Sequence, residues 1–149
     1  MKRITMTVLV CLVALCSYGQ KTLELKVLKS SDLPLTAKEH MYLVQITNNS
    51  SRTVAFSLAT EEINCDDVDR SKLTSLNREI LNKNGLSRQS IKSISGNESI
   101  EFYVKISRKP DTPLATYNCL GIKAVTEKNE ILSNTLIIKT WIPDPKNFQ

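Results

Sequence analysis

Glycine is scarce in this chain. Four are present in 149 residues, and beyond residue 20 only Gly85, Gly96 and Gly121 remain. No glycine-rich run can bring successive backbone N–H groups around a phosphate, so no nucleotide cofactor is expected. Histidine is scarcer: His40, between Glu39 and Met41 at the mouth of a strand-like segment, is the only one. One histidine is enough for a hydrolase, but no G-x-S-x-G or comparable nucleophile motif accompanies it, and an edge or surface position is the simpler reading. Long apolar runs are also missing after the opening residues, which excludes from the rest of the chain a helix of the roughly 20 apolar residues that a bilayer requires. The excess of positive charge is small. Of a formal net charge of +5, two charges are Lys2 and Arg3. The other lysines and arginines are scattered among acids, without the basic and aromatic stripe of a nucleic-acid groove, so no nucleic-acid partner is expected.

What is present begins with MKRITMTVLVCLVALCSYGQ, a charged start followed by an apolar run from Val8 to Leu15 and the small residues Ser17 and Gly19. That is the pattern of a secretory signal peptide over residues 1–19, and the expected mature chain is a single domain over residues 20–149, exported to the periplasm or the medium. Lipidation at Cys16 is the alternative, disfavoured by the bulky Leu15 before it. About 130 residues are enough for one domain with a real core. Two of the four cysteines lie in the signal, leaving Cys65 and Cys119. In an exported chain they most simply form one disulfide, with free or intermolecular thiols as the alternative. Closing a loop of about 55 residues would contribute roughly 4 kcal/mol in the chain-entropy account.

Six segments carry strand signals. TLELKVLK (22–29) alternates Leu23, Leu25 and Val27 with Glu24 and Lys26. MYLVQIT (41–47) is apolar on both faces. TVAFSLAT (53–60) follows the turn NNSSR, which suggests a hairpin with the segment before it. IEFYVKIS (100–107) alternates most cleanly, and TYNCLGIKAVT and NTLIIKTWI complete the set. Pro110 and Pro113 break the chain between the fourth and fifth. Between the third and fourth, Leu73, Leu76 and Ile80 fall at i, i+3 and i+7, which predicts a helix over about 67–84. Asp66, Asp67 and Asp69 would cap it, Glu79 and Lys83 would pair at i,i+4, and Gly85–Leu86 would end it. Strands joined mostly by short turns, without a helix between each pair, predict a mainly β, antiparallel sandwich with one inserted α-helix.

At Ala115, Tyr117 and Cys119 the chain resembles the A-x-Y-x-C run of the immunoglobulin superfamily. The span SGNESIEFYVKISRKPDTPLATYNCLGIKAVTE is similar to the last third of bacterial immunoglobulin-like and fibronectin type III-like modules. The resemblance implies an immunoglobulin-like sandwich, in which such a cysteine would pair with one on the second strand of the opposite sheet. MYLVQIT has no cysteine and the expected core tryptophan is absent. A Cys65–Cys119 bond would therefore staple the inserted segment to the strand of Cys119 and leave the two sheets unpinned through the core.

The candidate chemistry is sparse. Asp66, Asp67 and Asp69, with Glu61 and Glu62 nearby, offer hard oxygen ligands, but their spacing does not fit a calcium loop and capping accounts for them. Two cysteines and one histidine do not make a zinc site without acidic help. No catalytic, cofactor or metal residue is assigned. Tyr103, on the outward face of its strand, and Trp141, near the end of the last, are the candidate binding residues, since aromatics anchor interfaces and sugar platforms. A structural role for Trp141, covering the core or the helix, stands beside that reading. The first and last strands are the expected sheet edges, open to a partner's strand. These features point to an exported, non-catalytic binding protein of a bacterial envelope, with another envelope or extracellular protein or a surface polymer as partner. The alternative is a secreted inhibitor or immunity-type protein that inserts the helix and the Asn82–Asn97 connector into an enzyme's cleft. An enzyme built on His40 is the third reading.

Overall fold

The computed structural model of the chain describes residues 21–84 and 92–148. The expected signal peptide, the Cys16 lipidation site and the Gly85–Leu86 helix stop lie outside these residues. Among the described residues eight strands form: β1 (Leu23–Lys29), β2 (Glu39–Asn48), β3 (Val54–Glu62), β4 (Asn77–Leu81), β5 (Lys92–Ile94), β6 (Ser99–Ser107), β7 (Thr116–Val125) and β8 (Leu136–Ile142). They build two four-stranded antiparallel sheets, ordered β1-β2-β6-β4 and β5-β3-β7-β8. The predicted mainly β, antiparallel sandwich is present.

Alternation fixes the faces. On β6, Phe102, Val104 and Ile106 are buried while Tyr103 and Lys105 look outward. Across the ladder, Val44 and Ile46 of β2 meet Phe102 and Ile100. From the second sheet Phe56, Leu120, Ile122, Ile138 and Ile142 face them, so the core is the space between the sheets. Each such side chain contributes about 1.5–3 kcal/mol of transfer free energy. β7 is buried along most of its length because it lies inside its sheet and is also covered on its outer face.

The loops at one end are tied to a single side chain. Asn48 is fully buried. Its amide nitrogen donates to the carbonyls of Arg52 (2.7 Å), Ile94 (3.1 Å) and Ser95 (3.1 Å), and its oxygen accepts from the Ser50 N–H (3.0 Å) and hydroxyl (2.8 Å). Gly96 is required beside it, since a Cβ there would stand 2.4 Å from the Ser51 carbonyl carbon and oxygen.

Two expectations fail. β2 and β3 are not a hairpin: β2 pairs with β1 and β6, while β3 crosses to the other sheet and pairs with β5 and β7. Alternation reports which face of a strand is buried and carries no information about its neighbour. The helix predicted over about 67–84 is absent as well. Arg70–Lys72 is one 3-10 turn and Asn77–Leu81 is β4, paired with β6. Leu76 and Ile80 do reach the core, but a spacing of four satisfies a period of 2 as well as one of 3.6. Thr74, Ser75 and Asn77 are poor in a helix interior. The Thr74 N–H instead donates to the Tyr117 carbonyl (2.8 Å), and the Asn118 amide to the Thr74 carbonyl (2.8 Å). Tertiary pairing satisfies the backbone that a marginal short helix would have to satisfy alone.

Candidate functional site

The disulfide shapes one outer face of the sandwich. Cys65 and Cys119 are bonded, with 5.9 Å between their Cα atoms. Cys119 belongs to the outward-facing set of β7, opposite in parity to the core residues Leu120 and Ile122. The bond therefore holds the segment between β3 and β4 over the outer face of the second sheet, and it does not link the two sheets through the core. The inserted segment is stapled to the strand of Cys119 as expected, but without a helix.

Trp141 lies on this face. Its register partner on β7 is Tyr117, and the two rings sit 4.3 Å apart, tilted by 40°. Lys139 Nζ lies 4.9 Å from the centre of the Tyr117 ring and donates to both carboxylate oxygens of Asp67 at 2.8 Å. The hydrogen bond from Lys139 holds the Asp67 carboxyl below its usual range. Asp67 thus secures the crossover segment to β8 and does not cap a helix. Asp69 does cap, but a 3-10 turn: it accepts from the N–H and hydroxyl of Ser71, both at 2.9 Å.

Tyr103 lies on the opposite side of the molecule, on the outer face of the first sheet. Its register partners are Leu43 on β2 and Leu81 on β4. Three apolar side chains therefore run across the sheet in one row, Leu43 and Tyr103 half-buried and Leu81 buried. Lys83 binds Glu101 on one side of that row and Lys105 binds Glu39 on the other, each at 2.9 Å. The predicted Glu79–Lys83 helix pair is replaced by the first of these, and the carboxylate raises the pKa of Lys83. The two candidate aromatics consequently belong to two surfaces, one on each sheet. Leu43, Leu81 and Lys139 were not singled out from the sequence, and Asp67 was singled out there only as a helix cap or oxygen ligand. The signal for Leu81 was available in its odd parity beside Leu76 and Ile80, once the segment is read as a strand.

No family model and no curated protein matches the chain. A crystal structure of a FixG-related protein from Vibrio parahaemolyticus is similar in fold, with a TM-score of 0.53 over 84% of this chain and 99% of that one, at 11% identity. At that identity the likeness concerns the fold alone.

The remaining candidates are accounted for by geometry. His40 is on the inward face of β2, buried at the end of the sandwich, with Nδ1 3.1 Å from the Ser31 hydroxyl. It is not the edge or surface residue that the sequence suggested. Burial, and then the nearby Arg108 cation, push its pKa below the ordinary 6.5. The hollow beside it, between His40, Leu76, Arg108 and Trp141, holds about 10 Å³, room for one water. A larger groove of about 360 Å³ opens where β3 and β7 part, between Ala55, Phe56 and the turn Thr126–Glu130. Among the described residues no group of three histidine, cysteine or acidic side chains is arranged to hold a metal ion, and no helix is long and apolar enough to cross a membrane.

Proposed function

We propose that the chain is an exported, non-catalytic binding protein of a bacterial cell envelope, an immunoglobulin-like module whose partner is another envelope or extracellular protein or a surface polymer. The observation that carries this reading is the Leu43–Tyr103–Leu81 row between its two ion pairs. An apolar and aromatic centre with a charged rim is the anatomy of a protein-binding patch, in which the aromatic supplies most of the energy and the rim excludes water. The disulfide supports export, since such bonds persist in oxidising compartments. The immunoglobulin-like reading is supported by strand order: β1-β2-β6-β4 against β3-β7-β8 follows the A-B-E-D and C-F-G arrangement, with β5 as an added edge. The inhibitor reading relied on a protruding helix together with the Asn82–Asn97 connector; residues 77–81 are instead part of a sheet, and residues 85–91 of the connector lie outside the described residues.

The test is a cross-linked affinity purification of the tagged protein from envelope and medium fractions, run in parallel with Tyr103→Ser. The expected result is a stoichiometric partner whose recovery falls at least about tenfold with Tyr103→Ser, while circular dichroism shows the sandwich intact. Equal recovery by both forms, or no enrichment over a tag-only control, overturns the reading.

A further inference from the structure

The four edge strands are not equally protected. β5 has three residues. β4 has five and carries Arg78 and Glu79. β1 is bulged between Val27 and Lys29. Its other half is already occupied: the Leu23 N–H donates to the Leu132 carbonyl (3.0 Å), while the Asn134 side chain accepts from the Leu25 N–H (2.8 Å) and donates to the Leu25 carbonyl (3.0 Å). These are the devices that stop strands from adding to one another. β8 has seven residues, no proline and no register shift against β7. Its one charge, Lys139, leans inward over Tyr117 to Asp67 and so leaves the edge unguarded. Beside it Ile137 is 54% exposed, opposite Gly121, which offers it no side chain to pack on.

The sequence of this edge complements itself. LIIKTWI reads outward from Lys139 as Ile138 and Thr140, then Ile137 and Trp141, then Leu136 and Ile142. We propose that β8 is a self-association edge, pairing antiparallel with β8 of a second copy about a two-fold axis at Lys139, to make one continuous eight-stranded sheet. In that register Ile137 faces the second copy's Trp141, a β-branched and aromatic cross-strand pair that covers the exposed isoleucine on both sides. Ile138 faces Thr140, and the two Lys139 side chains meet with each ammonium drawn back to its own Asp67. The charge that would oppose a lysine-to-lysine contact is thus neutralised inside each copy. The inference goes beyond the binding proposed for the Tyr103 face and does not depend on it, since that patch is on the other sheet.

The test is sedimentation equilibrium of the purified protein up to about 0.5 mM, with Ile137→Lys alongside. The expected result is a concentration-dependent dimer whose dissociation constant rises at least about tenfold in Ile137→Lys, with thermal unfolding of the monomer unchanged. The register is read separately with Lys139→Cys. Facing Cα atoms at the centre of an antiparallel pair lie about 4.5–5.5 Å apart, within disulfide reach, so mild oxidation should give a covalent dimer where Lys26→Cys on β1 does not. A wild-type monomer at the highest concentration overturns the proposal. So does a dimer indifferent to Ile137→Lys, or one cross-linked through Lys26→Cys and not through Lys139→Cys.

Discussion

Replacing Asn48 should be among the most damaging single changes, although the residue touches no candidate binding surface. Its side chain carries five hydrogen bonds and closes the β2–β3 loop onto the β5–β6 loop. In Asn48→Ala the Ile94 carbonyl loses a fully buried partner, and the Arg52 and Ser95 carbonyls and the Ser50 N–H lose partners at sites that water partly reaches. One buried orphan costs about 1–3 kcal/mol and the half-wet ones less. The sum is about 3 kcal/mol, which at an m-value near 2 kcal/mol/M moves the urea midpoint down by about 1.5 M. Asn48→Asp refines the reasoning, because it keeps the shape and replaces the donor with a carboxylate aimed at three carbonyl oxygens. At pH 7 it should be at least as unstable as the alanine variant. The folded-state pKa of the introduced acid is raised above its unfolded value near 3.9, so its stability is fully present below that value and is lost as pH rises through the folded one. Acidification from pH 7 to 5 should therefore narrow the gap between Asn48→Asp and Asn48→Ala. An alanine variant within about 0.5 kcal/mol of wild type, or an aspartate variant with no such pH response, would refute the account.

Two further outcomes follow from groups away from the surface rows. Reducing the disulfide, or replacing both Cys65 and Cys119 with serine, closes no loop across the sequence separation of 54 and should cost about 4 kcal/mol in urea unfolding. The far-ultraviolet β signature should survive, because the bond lies outside the core; a cost below about 1 kcal/mol, or unfolding on reduction at room temperature, contradicts that placement. His40 should make the protein acid-sensitive. Its folded-state pKa is depressed, by burial first and by Arg108 second, so the unfolded chain takes up the proton earlier, and stability present above about 6.5 is lost as pH falls through the folded value. Unfolding measured between pH 7.5 and 5.5 should show a shallower slope in His40→Gln than in wild type. Equal slopes, or a wild type that gains stability on acidification, would show that His40 is not the buried neutral group described.

The sandwich was legible in the sequence because alternation is a local property. In IEFYVKIS each side chain announces its own face, and the core residues of β1, β6 and β8 follow directly. Edge status was legible too, since the first and last strands are edges. The partners of strands were not. β2 and β3 share a short turn and belong to different sheets, so the reading that set Tyr103 and Trp141 side by side as binding candidates could not show that they sit on opposite faces of the molecule. The Asp67–Lys139 contact spans 72 residues, and nothing local marks either member.

The misread segment had the largest consequence for function. Leu73, Leu76 and Ile80 suit one stripe of a helix, and a helix there would have left β6 as the edge of the first sheet, with Tyr103 exposed on it. Thr74 is instead held by the Tyr117 carbonyl and the Asn118 side-chain amide, Asn77–Leu81 becomes β4, and Leu81 arrives beside Tyr103. Lys83 arrives with it and neutralises Glu101. A lone aromatic on an edge strand becomes the centre of a row that crosses three strands between two ion pairs. The surface that supports the binding proposal is therefore a product of tertiary pairing. It is encoded in residues 39–43, 74–83 and 101–105 jointly, and in no one stretch alone.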